Sequence, residues 1–498
     1  MIRNVLEYLK NTVQQHPDKI AIVDNDKQIS FGDLDQRAKE IATEIVRLCG
    51  NIKNEPIAVY MEKSIESIAC FLGVLYSGNF YCPIDINSPV ERIEKIIDVL
   101  QPKVFLCKDD IVFEKNVLTI RIDKIKDDGE HYVNIPSDIL DVDPVYVLFT
   151  SGSTGQPKGV VINHRGVIDY IEWLTKTFQF DENTIFGNQA PFYFDNSILD
   201  IYSTLKNAST MVIIPEKKFI FPKQLIEYVN EKKINTIFWV PSALIAVANS
   251  GILENINLPW LKKILFCGEI MPNKQLNIWR KYNPEALYAN LYGPTEITDV
   301  CSYYIVNRKF VDNEPLPIGT ACENTEIIIL NGQNKLVDIG EIGELCVRGS
   351  CLSMGYYRQT EKTENVFIQN PLNDRYREYI YRTGDLAKYN SIGEIIYIGR
   401  KDFQIKYQGH RIELGEIEAA AIELDNIQQS CAIYDEEKKQ IVLFVLTDGK
   451  KNEKEIYQKM KSKLPHYMLP SKIFIVNEIP LNVNGKIDRN KLKRMNLE

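Results

Sequence analysis

Thr150-Ser-Gly-Ser-Thr-Gly-Gln-Pro-Lys-Gly159 follows the apolar run Val145-Tyr-Val-Leu-Phe149 and precedes Val160-Val-Ile162. The first run has strand length and strand composition. Beyond the second, Val167, Tyr170, Ile171 and Leu174 recur at helical spacing. A loop of glycines and hydroxyls thus lies between buried elements. Its three glycines permit tight backbone paths. The hydroxyls of Thr150, Ser151, Ser153 and Thr154, with free backbone N–H groups, can cradle phosphate oxygens, and Lys158 adds a cation. The loop is not of the Walker form, because Pro157 stands where that pattern needs glycine and no Gly-Lys-Ser/Thr follows. A flexible surface loop of turn formers has the same composition, so the rest of the chain must decide.

The 498 residues exceed what one core usually spans, which predicts two or more domains. Hydrophobic content of 45% and charged content of 25% are those of a soluble globular chain. The net charge of -8, from 59 basic and 67 acidic residues, lacks the basic excess of a general nucleic-acid binder. No stretch approaches the ~18 consecutive apolar residues of a membrane helix. The N-terminal Met-Ile-Arg-Asn-Val-Leu-Glu-Tyr lacks the form of a signal peptide. Ten cysteines without Cys-x-x-Cys pairs, and five histidines, offer neither a zinc site nor a disulfide framework. The expected setting is the reducing cytoplasm.

Taken in order, the chain alternates short strands and helices. Ile20–Val23 and Gln28–Phe31 form a predicted hairpin, followed by a helix over 34–48, a strand over 57–60, a helix over 65–76 and a strand over 104–107. Such alternation predicts α/β layers around a substantially parallel sheet. The charged segment 109–143 reads as a peripheral connection. Thr236–Val240, Lys263–Cys267 and Leu287–Leu291 are strands that run into loops, the places where open α/β sheets build their sites. From about Leu316 short strands predict a small β-rich subdomain. Gly399-Arg-Lys-Asp402 reads as a joint, followed by a hairpin around Gln408-Gly409 and a small α+β C-terminal region. The expected domains are 1–400, a large core with layered α/β sheets and the β-rich subdomain, and 401–498, a small mobile domain.

Eight segments in order resemble the adenylate-forming superfamily, which includes nonribosomal-peptide adenylation domains, acyl-CoA synthetases and firefly luciferase. They are Thr150–Gly159, Phe194-Asp195, Tyr292–Glu296, Gly343–Tyr356, Tyr381–Asp385, Gly399–Glu418, Leu464–Pro470 and Asn484-Gly-Lys486. Gln404-Ile-Lys406 and Arg411–Glu418 resemble the amino-acid-activating branch, and Asn188–Phe192 and Phe266–Glu269 resemble D-alanine–carrier-protein ligases. Asp85-Ile-Asn87 departs from the Asp-Pro usual in peptide synthetases.

The resemblance implies a reaction in two halves. A carboxylate attacks the α-phosphate of ATP to give acyl-AMP and pyrophosphate, and a thiol then attacks the acyl carbonyl. It implies that the loop residues Thr150, Ser151, Gly152, Ser153, Thr154, Gly155 and Lys158 hold ATP, together with Gly293 and Thr295. Tyr292 would stack on adenine, Asn290 would bond it and Asp385 would accept the ribose hydroxyls. Glu296 would hold Mg²⁺, Arg400 would reach the ribose region, and Lys486 would touch both the substrate carboxylate and the α-phosphate. Asp402 would be the hinge about which the C-terminal domain turns between half-reactions.

Asp195 would hold an α-ammonium, with Asn196, Leu199, Phe238, Leu265, Cys267, Leu291, Asp299 and Val300 as the pocket wall. If Asp299 faces in, it calls for a hydroxyl, amide or cation from the substrate; if it faces out, Cys267 and the apolar wall suit alanine. The implied substrate is a small or polar amino acid, with alanine, D-alanine or serine foremost. The implied acceptor is phosphopantetheine on a separate carrier protein, since no attachment segment is seen and the chain reads as free-standing. An acyl- or aryl-CoA synthetase is the rival that Asp195 argues against. Intact Glu296, Asp385 and Lys486 argue against a non-catalytic nucleotide-binding relative. Nothing singles out an oxygen-using luciferase.

Overall fold

The structure, a computed structural model, describes residues 2–109, 117–125, 138–152, 156–425, 427–447, 452–480 and 487–495. The chain divides into two units. The first gathers 1–85, 102–148 and 160–401, and the second 86–101, 149–159 and 402–498.

The first unit is α/β, with a β-rich part. Among the described residues a nine-stranded sheet runs in the order 320–321, 302–305, 287–292, 263–266, 236–239, 185–188, 210–213, 20–24 and 27–30. Its six strands from Leu287–Tyr292 to Ile20–Asp24 are parallel, and antiparallel strands close both edges. A six-stranded sheet has the order 118–121, 104–107, 56–60, 80–84, 144–150 and 158–163. Its outermost strand, Leu118–Arg121, pairs parallel with Val104–Cys107 and corrects the reading of 109–143 as connection alone. That strand escapes sequence analysis because Leu118 and Thr119 are exposed at a sheet edge, leaving no apolar alternation. The β-rich part is a five-stranded antiparallel sheet built on the long strand Tyr379–Tyr389.

Helix Ile65–Tyr76 shows how local sequence and packing agree. Ser64 and Ser67 form a reciprocal capping box at its start. Its composition is apolar on all sides, and its residues are buried on all sides except at Glu66. A Cβ on Gly73 would lie 2.8 Å from both Ala38 O and Ile41, so glycine allows this helix to approach helix Phe31–Cys49 closely.

The second unit is α+β. A three-stranded sheet of 427–435, 440–447 and 472–476 packs with helix Leu414–Ile422 around Ile412, Ile417, Leu443, Ile456 and Met460. The hairpin Gln404–Tyr407 and His410–Glu413 turns at Gln408 and Gly409, both with positive φ.

Candidate functional site

In the first unit Phe238, Leu265, Cys267 and Asn290–Tyr292 sit towards or just beyond the C-terminal ends of parallel strands, whereas Asp385 and Arg400 lie on two paired strands of the antiparallel sheet. Strand Leu287–Tyr292 carries Asn290, Leu291 and Tyr292 and runs into a turn. Thr295–Ile297 makes one 3₁₀ turn, and Thr298 and Asp299 then adopt φ of 61° and 75°. This left-handed step is unusual for a β-branched residue. It brings the chain back so closely that a Cβ on Gly293 would lie 2.2 Å from the Asp299 carbonyl oxygen.

Asp385 is the hub of the expected nucleotide side. It is buried and lies opposite Arg400 in the strand register. The Tyr292 hydroxyl donates to its Oδ2, and Arg400 Nη1 donates to its Oδ1 at 2.9 Å. The same guanidinium nitrogen donates to the Thr383 carbonyl at 2.7 Å, and the Thr383 hydroxyl accepts from the Asp385 N–H at 3.0 Å. Burial, followed by the Asp385 charge, pushes the Tyr292 phenol well above its ordinary range, so it stays a donor. Asn290 is buried and its amide nitrogen donates to the Pro317 carbonyl at 2.8 Å. Glu296 is fully buried, and its Oε1 accepts the Tyr356 hydroxyl at 2.8 Å.

Asp195 precedes helix Ser197–Asn207 without serving as its N-cap, a position taken by Asn196 with no side-chain cap bond. Asp195 Oδ2 accepts the Thr295 hydroxyl at 2.5 Å, and Oδ1 accepts the Asn196 N–H at 3.0 Å. Asp195 and the Thr295–Glu296 turn are therefore tied together. Leu199, Phe238, Leu265, Cys267, Leu291 and Val300, expected in the pocket wall, are all buried in one apolar cluster. Asp299 faces inward. It is 1% exposed, and its Oδ2 accepts the Tyr170 hydroxyl at 2.7 Å.

The second unit holds the glycine-rich loop. Thr150 ends the strand Pro144–Thr150, and its hydroxyl reaches the Lys158 carbonyl at 3.5 Å. Ser151 Oγ donates to the Arg411 carbonyl at 2.7 Å and accepts the Glu413 N–H at 3.1 Å. The Gly152 N–H donates to Glu416 Oε2 at 3.2 Å, and Lys158 Nζ lies 3.6 Å from Glu413 Oε1. Carboxylates thus meet a backbone donor and the cation that an anionic ligand would use. Glu416 also pairs with Arg92. Burial raises the Glu416 carboxyl against the pull of Arg92. Asp402 is exposed, and its Oδ1 accepts the Gln404 N–H at 3.2 Å. Ser153, Thr154, Gly155 and Lys486 lie outside the described residues.

Four participants were not singled out by sequence analysis. The Tyr170 and Tyr356 hydroxyls bond Asp299 and Glu296, Tyr146 lies in the same apolar cluster as the expected pocket residues, and Thr383 orients Asp385. Tyrosine within an apolar strand or on an apolar helix face reads as core, because its ring packs while its polar tip carries no periodicity. Among the described residues no group of three or more His, Cys, Asp or Glu side chains is arranged to hold a metal. No helix among them is long and apolar enough to cross a membrane.

Residues 9–357 match the family model for AMP-binding enzyme, and 416–486 match that for the AMP-binding enzyme C-terminal domain. The chain is 32% identical to a D-alanine–D-alanyl carrier protein ligase of Bacillus licheniformis, over 98% of this chain and 99% of that protein. It is 31% identical to the ligase of the same name from Listeria monocytogenes, over 99% of each chain. In fold it is similar to a holo nonribosomal peptide synthetase (NRPS) protein containing adenylation and PCP domains. The TM-score is 0.86 at 23% identity, over 99% of this chain and 84% of that one.

Proposed function

The chain belongs to the AMP-binding enzyme family, and from that premise we propose that it activates an amino acid with ATP and loads it onto a carrier protein. One substrate carboxylate oxygen bonds to the α-phosphorus of ATP. The bond from that phosphorus to the bridging oxygen of the β-phosphate breaks, and pyrophosphate leaves with the electron pair. The thiolate of a phosphopantetheinylated carrier then attacks the aminoacyl carbonyl, and AMP departs. The proposed substrate is a small or polar amino acid, alanine, D-alanine or serine foremost. The relatives named D-alanine–D-alanyl carrier protein ligases support that range. The need for ATP and the free thiols of the chain fit a cytoplasmic setting.

The observation that carries this reading is the Asp195 carboxylate, aligned by Thr295 and the Asn196 N–H next to an apolar wall. A carboxylate so placed is costly unless it meets a cation, and an α-ammonium supplies one. Asp385 takes the ribose hydroxyls, held in place by Arg400 and Thr383. Tyr292 and Asn290 line the adenine side, and the loop 150–159 receives the phosphates. Lys486, from the C-terminal domain 401–498, reaches the attacking carboxylate and the α-phosphate. Asp402 is the hinge that brings it in and takes it away from the core 1–400.

Glu296 suits magnesium, since a buried carboxylate is a hard oxygen donor. As a single protein carboxylate it would share the ion with ATP phosphate, in keeping with the way magnesium is usually bound. When bound, the ion offsets phosphate charge.

The test is amino-acid-dependent exchange of pyrophosphate into ATP across the proteinogenic set plus D-alanine. Exchange driven by one or a few amino acids is expected, followed by thioester formation on a phosphopantetheinylated carrier. Exchange with none would leave a nucleotide-binding relative, and transfer to CoA but not to a carrier would favour the acyl-CoA synthetase.

A further inference from the structure

The apolar cluster that holds the expected pocket residues also contains a polar group that an aliphatic side chain would leave unanswered. Tyr146 is fully buried, and its hydroxyl has no hydrogen-bond partner. Its neighbours are settled. Tyr81, whose ring centroid lies 5.7 Å from that of Tyr146, shares a 3.0 Å hydroxyl contact with Tyr202. A buried hydroxyl with nothing to bond bears the full cost of its desolvation. The side-chain Nδ2 of Asn196 is a second buried donor without a partner. Asp299 is buried with the Tyr170 hydroxyl on one oxygen. Tyr146 and Tyr170 belong to the same apolar cluster as Leu199, Leu291 and Val300, and Tyr202, bonded to Tyr81 beside Tyr146, lies on the helix Ser197–Asn207 that follows Asp195.

We propose that Tyr146, Tyr170 and Asp299 select an amino acid whose side chain carries a hydrogen-bond donor, a hydroxyl or an amine, over an aliphatic one of equal length. The inference rests on the assignment of Asp195 to the α-ammonium. A substrate hydroxyl can accept from Tyr146 and donate to Asp299. A substrate ammonium can donate to the Tyr146 oxygen and to Asp299. An alkyl group can do neither, and it would seal a carboxylate and an unbonded phenol away from water.

The experiment measures kcat/KM for pyrophosphate exchange with pairs of equal length: serine and 2-aminobutyrate, homoserine and norvaline, 2,4-diaminobutyrate and norvaline. In at least one pair the donor-bearing member is expected to lead by about tenfold or more. The first two pairs report a hydroxyl, the third an amine. Tyr146→Phe and Tyr170→Phe should each shrink that lead by about tenfold, the worth of one buried hydrogen bond to a charged or polar group. Tyr146→Phe should also keep or raise the thermal midpoint, because it removes an unbonded hydroxyl. Aliphatic members ahead in all three pairs would overturn the proposal, and that comparison needs no variant. So would an unchanged lead in both phenylalanine variants, which would make the Tyr146 hydroxyl the seat of a buried water. Exchange with no amino acid at all would instead remove the Asp195 assignment itself.

Discussion

Asp385 shows how much one carboxylate can organise. Its two oxygens receive a phenol and a guanidinium, and its own N–H is fixed by Thr383. A carboxylate already held in this way can present its remaining lone pairs to the two ribose hydroxyls without reorganising. Asp385→Asn keeps the shape and removes the charge. The variant is expected to raise KM for ATP by about tenfold to a hundredfold, the worth of hydrogen bonds to a charged group, and to leave KM for the amino acid unchanged. Exchange kinetics with each substrate varied in turn would check this, and an equal rise in both constants would count against the ribose assignment. The role proposed for Lys486 rests on charge. An ammonium about 4 Å from an anionic oxygen contributes roughly 4 kcal/mol at an effective dielectric near 20. Lys486→Gln should therefore slow adenylation by about 10²–10³-fold. The same variant should still transfer from aminoacyl-AMP supplied ready-made, and loss of both steps would place the lysine elsewhere in the cycle.

The turn from Gly293 to Asp299 concentrates four proposed site residues in seven positions, and its shape comes from backbone that sequence periodicity does not report. Two successive left-handed residues decide that Asp299 faces inward, so a pattern read one residue out of step would have given the opposite answer. Strands with continuous apolar runs, such as Val104–Cys107, were legible to the residue because both faces are buried. The strand Tyr379–Tyr389 was legible only as a motif, since polar Thr383 and Asp385 take buried positions and apolar Leu386 an outer one. Ser302–Ile305 and Ile427–Asp435 were hidden in the same way by polar residues and cysteine. The expected pocket wall rests on the resemblance, position by position, whereas neither motif nor periodicity signals the bonds of the Tyr170 and Tyr356 hydroxyls to Asp299 and Glu296. The joint at Asp402 gives a prediction of its own. Proline there fixes φ, and the residue is exposed, so the change need not disturb the core. Asp402→Pro should spare pyrophosphate exchange and abolish thioester formation. Equal loss of both half-reactions would deny the hinge.

Two buried groups of the first unit pull its acid stability in opposite directions. Burial lowers the His164 imidazole from 6.5 to about 4, with Asp143 and Asp141 pulling weakly the other way. Its Nδ1 accepts the Val5 N–H at 3.2 Å, which ties the N-terminal helix to the helix His164–Phe178. Between those values the unfolded chain holds a proton that the folded chain refuses, so this group removes stability as the pH falls. Burial raises Asp200 from 3.8 to about 7, although Asn188 and Lys63 oppose the rise. Over that range the folded chain holds a proton that the unfolded chain lacks, so Asp200 adds stability as the pH falls. Each effect is worth about 1.4 kcal/mol per pH unit where it acts alone, and between about pH 6.5 and 4 the two nearly cancel. The same opposition recurs in the second unit, where burial lowers His410 to about 4 and raises Glu416. A flat stability profile in mild acid is therefore expected for the first unit, and it should break in either direction when one group is removed. Asp200→Asn, which retains an acceptor for the Asn188 amide, should leave the His164 slope and melt progressively earlier from pH 6.5 to pH 4.5. His164→Asn, which retains an acceptor for the Val5 N–H, should hold or gain stability over the same interval. Thermal midpoints of the three proteins at half-unit steps would decide, and parallel profiles would mean that neither group titrates in that window.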